Sequence, residues 1–253
     1  YYQRSMKLNQ KLGSDNLDGL SDNYTNIGLC YSELKQFDEA KWYLEKALDL
    51  SKSIYGTKHP EHAYHYDNLA GMYFDNGEPN LALQTNTFGI KSLVPGFEDS
   101  ESPSFPMIEA QKIIGSKRLL LTLLSNRLTY IAPKANNDEQ LEGFHKIDQL
   151  IDLMRKEQSA KGSKLFWTEE ALPIYERAVA LCLKDPTSKM NEAFYFLEKS
   201  KSVLLLESLK ESDARKFAGL SDDLLEREAS LKENIIDLEQ SLFALQLEAS
   251  ADS

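Results

Sequence analysis

Three histidines lie close together in the segment KHPEHAYH, at positions 59, 62 and 65, and Glu61 lies between the first two. His62 and His65 would lie about one turn apart on a helix, and two imidazoles with a third ligand can hold a zinc ion. No cysteine lies nearby, and the turn KHPEHA accounts for His59 and Pro60 as structural residues. We therefore interpret the histidines as structural, and we expect no metal and no cofactor.

The other reactive side chains lack suitable neighbours in the sequence. Ser200 lies between two lysines in EKSKS, but lysines on either side of a helical serine diverge from it and form no Ser–Lys pair. Cys30 and Cys182 lie in apolar helical patterns, far from each other and from His145, so we interpret both as small buried hydrophobic residues. We therefore expect no catalytic residues and no enzymatic activity in this segment.

The composition argues against several classes of function. The chain of 253 residues has a net charge of −11 at pH 7, and such a surface repels the phosphate backbone of nucleic acids. No apolar run approaches the ~20 residues that span a bilayer. Two distant cysteines argue against a disulfide framework and fit a reducing compartment. We therefore predict a cytoplasmic protein that binds neither nucleic acid nor membrane.

Small, aromatic and aliphatic residues recur at an interval of 42 positions. Glycine costs about 1 kcal/mol relative to alanine inside a helix, so we expect Gly28 to face Ala40 where two antiparallel helices approach most closely. The pattern changes at Asn86 and Gly89. We therefore expect the second helix of this repeat, over about 80–92, to be imperfect or to adjoin a different kind of neighbour. The recurring residues are Tyr24, Gly28, Tyr31, Ala40, Leu44 and Ala47, then Tyr66, Leu69, Ala70, Tyr73 and Ala82.

This spacing resembles the tetratricopeptide repeat, whose signature is W-x2-L-G-x2-Y followed by A-x3-F and A. The period is longer than the usual ~34 residues. With its HP turn and its NLA…Y helix, it is similar to the repeats of kinesin light chains. The resemblance implies an all-α fold, a tetratricopeptide-type right-handed superhelix of antiparallel helix pairs, which here would end in a long helical hairpin.

The patterns divide the chain into four regions. Residues 1–93 would hold a partial first repeat and two repeats of 42 residues, and 94–106 a loop rich in Pro, Gly, Ser and acids. Degenerate repeat-like helices would fill 107–215, and a long heptad-patterned helix that precedes an absent domain would fill 216–253. Within these regions we predict helices over 107–128, 138–158, 163–184, 190–214 and 221–249, the third one kinked at Pro173.

Two later segments, YERAVALCL and NEAFYFLEKSKSVLLLESL, resemble the helical region that precedes CHAT protease domains. The resemblance covers roughly residues 105–249. It implies a bacterial regulatory arm whose CHAT-type cysteine protease domain, similar to caspases, lies beyond Ser253. The alternative is a stand-alone adaptor that dimerises through helix 221–249. The matching residues are Tyr175, Glu176, Ala178, Val179, Ala193, Phe194, Glu198, Lys199, Ser200, Lys201, Leu205, Leu206 and Leu209.

Asn26 and Asn68 occupy the same place in successive first helices, which line the concave groove of a tetratricopeptide superhelix. An amide there can donate to and accept from a bound peptide backbone, although a hydrogen bond within the stack is an alternative. Because the groove would be acidic and lacks a basic pair for a C-terminal carboxylate, we expect a basic or mixed extended protein segment as ligand. Its other predicted residues are Asp22, Thr25, Leu29, Glu33, Tyr64, Asp67, Gly71, Phe74 and Asp75.

Overall fold

The computed structural model describes residues 17–98, 104–157 and 170–217, together with positions 227 and 230. The chain divides into two compact units, Tyr1–Ser200 and Lys201–Ser253. The predicted partial first repeat and almost all of helix 221–249 lie outside the described residues, although both described positions of that helix are helical. The predicted terminal hairpin therefore stays a prediction.

Eight α-helices and one 3-10 turn make up the regular structure of the described residues, which contain no strand. The 3-10 turn spans Ala110–Lys112. The helices are α1 (Leu17–Glu33), α2 (Phe37–Tyr55), α3 (His62–Asp75), α4 (Pro79–Leu93), α5 (Lys117–Ile131), α6 (Asn137–Glu157), α7 (Leu172–Cys182) and α8 (Pro186–Phe217).

Consecutive helices pack as pairs, and the pairs stack on one another. Helix α1 packs on α2, α3 on α4 and α5 on α6, while the first helices α1, α3 and α5 also contact one another in that order. Short turns connect the helices of each pair, so the two helices run antiparallel. This arrangement confirms the prediction of an all-α fold built from stacked helix pairs.

The first pair closes around Gly28. A Cβ atom placed on Gly28 would lie 2.7 Å from Leu44 Cγ and 3.2 Å from the Ala40 carbonyl oxygen, so only glycine fits without displacement. Ala40 and Ala47 are completely buried in α2, and Leu44 is buried beside them. The cost of glycine in the helix is therefore offset by the packing that the close approach allows.

The changed positions of the second repeat face helix α5. Asn86 is completely buried, and its side chain donates to the Leu123 carbonyl oxygen at 2.9 Å. A Cβ atom on Gly89 would lie 2.9 Å from Leu123 Cδ2. Arg127, also of α5, is completely buried and donates from Nη1 to Thr87 Oγ1 at 3.0 Å. Helix α4 therefore adjoins a polar neighbour, which accounts for the loss of the repeat pattern.

Two of the predicted helix starts are wrong. Helix α5 begins at Lys117 rather than at 107, because Gly115 adopts a positive φ of 85° and the Ser116 hydroxyl caps the helix by accepting from Leu119 N at 3.2 Å. Helix α8 begins at Pro186 rather than at 190. The Asp185 carboxylate caps it by accepting from Ser188 N at 3.4 Å.

Pro173 lies in the first turn of the described helix α7, where its missing N–H is harmless. We therefore find no kink inside α7, and residues 163–169 of the predicted helix lie outside the described range. The helix predicted over 138–158 matches α6 to within one residue at each end.

Gly28 of α1 and Gly71 of α3 allow a matched test of the close approach. We expect Gly28→Ala to destabilise the fold by about 1–3 kcal/mol, because its methyl group would collide with Leu44. Gly71→Ala should instead stabilise by up to about 1 kcal/mol, because its Cβ would meet nothing closer than the Tyr130 hydroxyl at 4.0 Å. Urea unfolding measures both, and equal effects of the two substitutions would contradict the packing.

Candidate peptide-binding groove

His59 and His62 have structural roles at the turn between α2 and α3. The His62 ring donates from Nε2 to the Gly56 carbonyl oxygen at 2.6 Å and accepts at Nδ1 from the Ser51 hydroxyl at 3.0 Å. Burial lowers the pKa of His62, which favours this neutral form. The His59 ring stacks on Tyr55 with ring centres 4.5 Å apart. Within the described residues, no group of three or more His, Cys, Asp or Glu side chains could hold a metal ion.

His65 links the first helices of two successive pairs. Its Nε2 lies 3.4 Å from the Ser21 hydroxyl, and its Nδ1 lies 3.3 Å from the Thr25 hydroxyl. Ser21 itself donates to the Ala47 carbonyl oxygen at 3.0 Å, which ties α2 into the same contact. Burial lowers the pKa of His65 to about 4, so the ring is neutral at pH 7.

Cys30, Cys182 and Ser200 differ in their surroundings. Cys182 is buried, and burial raises the pKa of its thiol. Cys30 is exposed, so the prediction that it is buried is wrong. The Ser200 hydroxyl donates to the Leu197 carbonyl oxygen at 2.7 Å, while Lys199 Nζ lies 2.6 Å from the Asp152 carboxylate.

The predicted groove asparagines have free side-chain amides. Asn26 on α1 and Asn68 on α3 are both half-buried, and α1 contacts α3 directly. Within the described part of the chain, the Asn68 amide nitrogen is buried without a hydrogen-bond partner, and the Asn26 side chain makes no hydrogen bond either. The amides are therefore not used to hold the stack together.

The other predicted groove residues differ in accessibility. Thr25 is completely buried against His65, so the prediction that it lines the groove is wrong: the helix turns this position toward the next pair. Asp67, the equivalent residue of α3, accepts from the Asn126 amide of α5 at 2.9 Å, and burial raises its pKa. Asp22, Glu33, Tyr64 and Asp75 are exposed, whereas Leu29, Gly71 and Phe74 are half-buried.

The predicted packing residues lie between and within the pairs. The Tyr31 ring stacks on Tyr43 with centres 5.4 Å apart, and the Tyr24 ring meets Trp42 edge-on at 6.4 Å. Tyr66 and Tyr73 are half-buried against the core of α2 and α3. The fully or almost fully buried members of the set are Ala40, Leu44, Ala47, Leu69, Ala70 and Ala82.

The structure adds a cavity that the sequence did not indicate. It has a volume of about 240 Å³ and lies between α5 and α7, with Asn126 and Arg177 in its lining. Because Asn126 also donates to Asp67 of α3, the cavity adjoins the helix that carries Asn68. Helices α5 and α7 lack the repeat spacing, and so no sequence signal pointed to this place.

Comparison with known proteins supports the assignment of the repeats. The family model described as tetratricopeptide repeat matches residues 21–87. This segment is a tetratricopeptide-repeat region. It covers helices α1 to α3 and part of α4, and repeats of this type generally mediate contacts between proteins. No curated protein sequence matches the chain.

Solved structures of repeat proteins match the chain at low sequence identity. BtubC (BKLC) from P. vanneervenii is 12% identical, with 82% of this chain and 72% of that chain covered, at a TM-score of 0.56. A putative kinesin light chain with nearly identical TPR-like repeats from Podosopora anserina is 13% identical, with 81% and 100% covered, at a TM-score of 0.41. The likeness to BtubC shows a superhelical fold of the tetratricopeptide type for this chain.

No described helix combines the length and the apolar character that crossing a bilayer requires.

The His65 contact makes the stability of the stack depend on pH. The pKa of His65 is about 4 in the folded protein and near ~6.5 when unfolded, so the unfolded chain binds more protons between these values. The contribution of neutral His65 is therefore complete above pH ~6.5 and is lost as the pH falls toward 4.

Urea unfolding at pH 7 and pH 5 tests this dependence. We expect the free energy of unfolding to fall by about 2 kcal/mol more in the wild-type protein than in His65→Gln. Other groups titrate in both proteins, so the difference reports on His65 alone. The same fall in both proteins would show that His65 is accessible to protons in the folded state.

Proposed function

We propose that this chain is a non-catalytic scaffold that binds an extended protein segment along its first helices. The observation that carries the proposal is the pair of equivalent, free amides of Asn26 and Asn68 on neighbouring helices. A buried polar group without a hydrogen-bond partner costs about 1–3 kcal/mol. A ligand that supplies a partner to such an amide is therefore bound more favourably. A peptide backbone offers both a donor and an acceptor at every residue.

The charges around the asparagines favour a basic ligand at this end. Asp22, Glu33 and Asp75 are exposed on α1 and α3. Burial and the neighbouring Asp18 raise the pKa of Asp22, so bringing a cation to this carboxylate relieves an unfavourable interaction. We therefore propose that lysine or arginine residues of the ligand lie beside the asparagines.

A double substitution tests the binding surface. A selection of random nine-residue peptides displayed on phage would first supply a fluorescein-labelled probe. We expect Asn26→Ala with Asn68→Ala to weaken its binding by about tenfold or more, because each amide loses one or two hydrogen bonds. Fluorescence anisotropy measures this affinity, and circular dichroism checks the fold.

Gln84→Ala is the matched control, because it removes one exposed amide from α4, a second helix. It should leave the affinity unchanged. If the double variant binds the probe as tightly as the wild-type protein, the asparagines are not part of the binding surface.

We further propose that the scaffold regulates a CHAT-type cysteine protease domain in a bacterial cytoplasmic protein. The support is the resemblance of segments 175–183 and 191–209 to the helical region that precedes CHAT protease domains. Described residues of both segments also contact α6. Tyr175 donates to the Asp148 carboxylate of α6 at 2.7 Å, and Lys199 lies 3.0 Å from the same carboxylate. A ligand that changes the stack would thereby act on the helix that enters the second unit.

The complete gene product tests this regulation. We expect it to encode a His–Cys dyad after residue 253 and to cleave protein substrates at a rate that the selected peptide changes several-fold. The Asn26→Ala with Asn68→Ala variant should keep its basal rate and lose the response. A gene product without such a domain, together with a dimer that disappears when 221–249 is deleted, would favour the dimeric adaptor instead.

A further inference from the structure

The cavity between α5 and α7 holds a fixed arginine without a carboxylate partner. Arg177 of α7 donates from Nη1 to the Ser125 hydroxyl at 3.1 Å and from Nη2 to the Thr129 hydroxyl at 3.1 Å. Both acceptors are neutral and belong to α5. Across the described ranges, no Asp or Glu pairs with Arg177. The guanidinium is therefore held in place while its charge stays uncompensated.

The surroundings of Arg177 make this position unusual for a surface arginine. Burial lowers its pKa, and no neighbouring carboxylate offsets that effect. The guanidinium remains protonated at pH 7 because its ordinary pKa is above ~12. Arg177 as a whole is exposed, so an anion can reach its guanidinium, and the fixed position of the side chain lowers the entropy lost when an anion binds.

The cavity beside Arg177 has room for an apolar group. Leu121 of α5 and Pro173 and Ile174 of α7 line it, and its volume of about 240 Å³ exceeds that of one large aliphatic side chain. The lining includes one acid, Glu170, and this carboxylate is paired with Arg118. An aliphatic residue next to a carboxylate therefore matches both the shape and the charge of the cavity.

We propose that this cavity is a second subsite of the peptide groove, which takes an aliphatic residue followed or preceded by the side-chain carboxylate of Asp or Glu. The inference rests on the proposed peptide binding along α1 and α3. The first half of the groove carries exposed acids, whereas this half carries Arg177, so the groove selects a peptide with a basic block at one end and an acidic block at the other.

The spacing of the helices sets the separation of the two charge blocks. Packed helices lie about 8–10 Å apart, so the path from α1 across α3 and α5 to the cavity measures about 20–25 Å. An extended peptide advances about 3.3 Å per residue. Roughly seven residues therefore separate the ligand residue beside Asn26 from the carboxylate beside Arg177.

Synthetic peptides test this arrangement in the wild-type protein. The probe KRSTSALEE and its reversal EELASTSRK represent the two chain directions, and both are acetylated and amidated so that only side chains carry charge. Their counterparts KRSTSALQQ and QQLASTSRK lack the carboxylates. We expect one of the acidic probes to bind about tenfold more tightly than its glutamine counterpart at physiological ionic strength.

Protein variants then locate the effect. In Arg177→Gln the preference for the acidic probe should fall below twofold, while the affinity for the glutamine counterpart stays unchanged. Lys46→Gln removes one positive charge from α2 and should keep the preference. Circular dichroism checks the fold of both variants. The comparison of the acidic and glutamine probes uses the wild-type protein, so it holds even if a variant fails to fold.

The outcomes separate this inference from the proposed function. Equal binding of the acidic and glutamine probes, with binding still lost in Asn26→Ala with Asn68→Ala, would overturn the second subsite and leave the groove intact. Binding that requires a free C-terminal carboxylate would overturn the side-chain assignment. If neither these probes nor any displayed peptide binds, both proposals fail.

Discussion

The close approach of two helices within each pair is the constraint on which the stack depends. Each of the first three pairs meets it with a glycine. A Cβ atom on Gly28 would lie 2.7 Å from Leu44 Cγ. One on Gly89 would lie 3.3 Å from Tyr66 Cβ of its own pair and 2.9 Å from Leu123 Cδ2 of the next pair, and one on Gly143 would lie 2.7 Å from Leu128 Cδ2 and closer still to the Phe105 ring. The glycine lies on the first helix of the first pair and on the second helix of the next two. Packing therefore requires a short distance between backbones, and either helix can supply the small residue.

Polar contacts join one pair to the next. His65 meets Ser21 and Thr25, the Asn126 amide donates to Asp67, and Asn86 donates to a carbonyl group of α5. Each of these polar groups has its partner in a neighbouring pair, and it would lose that partner if the pairs slid along each other. Such contacts fix the register of the stack, whereas apolar packing alone would tolerate small displacements.

The sequence allowed the first two pairs to be predicted because their spacing repeats, and the glycine at position 28 indicated where the helices meet. It did not indicate that Asn86 would pair with Leu123 of α5, since Leu123 lies outside the repeats. The start of α5 was readable from Gly115 and Ser116, a turn residue followed by an N-cap residue. Thr25 was misplaced because the angle between pairs decides which side of a first helix faces the next pair, and no single-helix pattern contains that angle.

Because each repeat touches its neighbours alone, the surface of the groove is set pair by pair. Helices α1 and α3 keep the repeat spacing and carry free amides and exposed acids, whereas α5 and α7 have lost it and carry a fixed cation, Arg177, beside a cavity. A short ligand can contact one half, and each contact alone is weak. A peptide that spans both halves binds the second as an intramolecular step, at an effective concentration in the millimolar range for a short connection. The distance between the two charge blocks of the ligand would then determine selectivity. The stacking of rigid helices fixes this distance more firmly than it fixes the position of any single side chain.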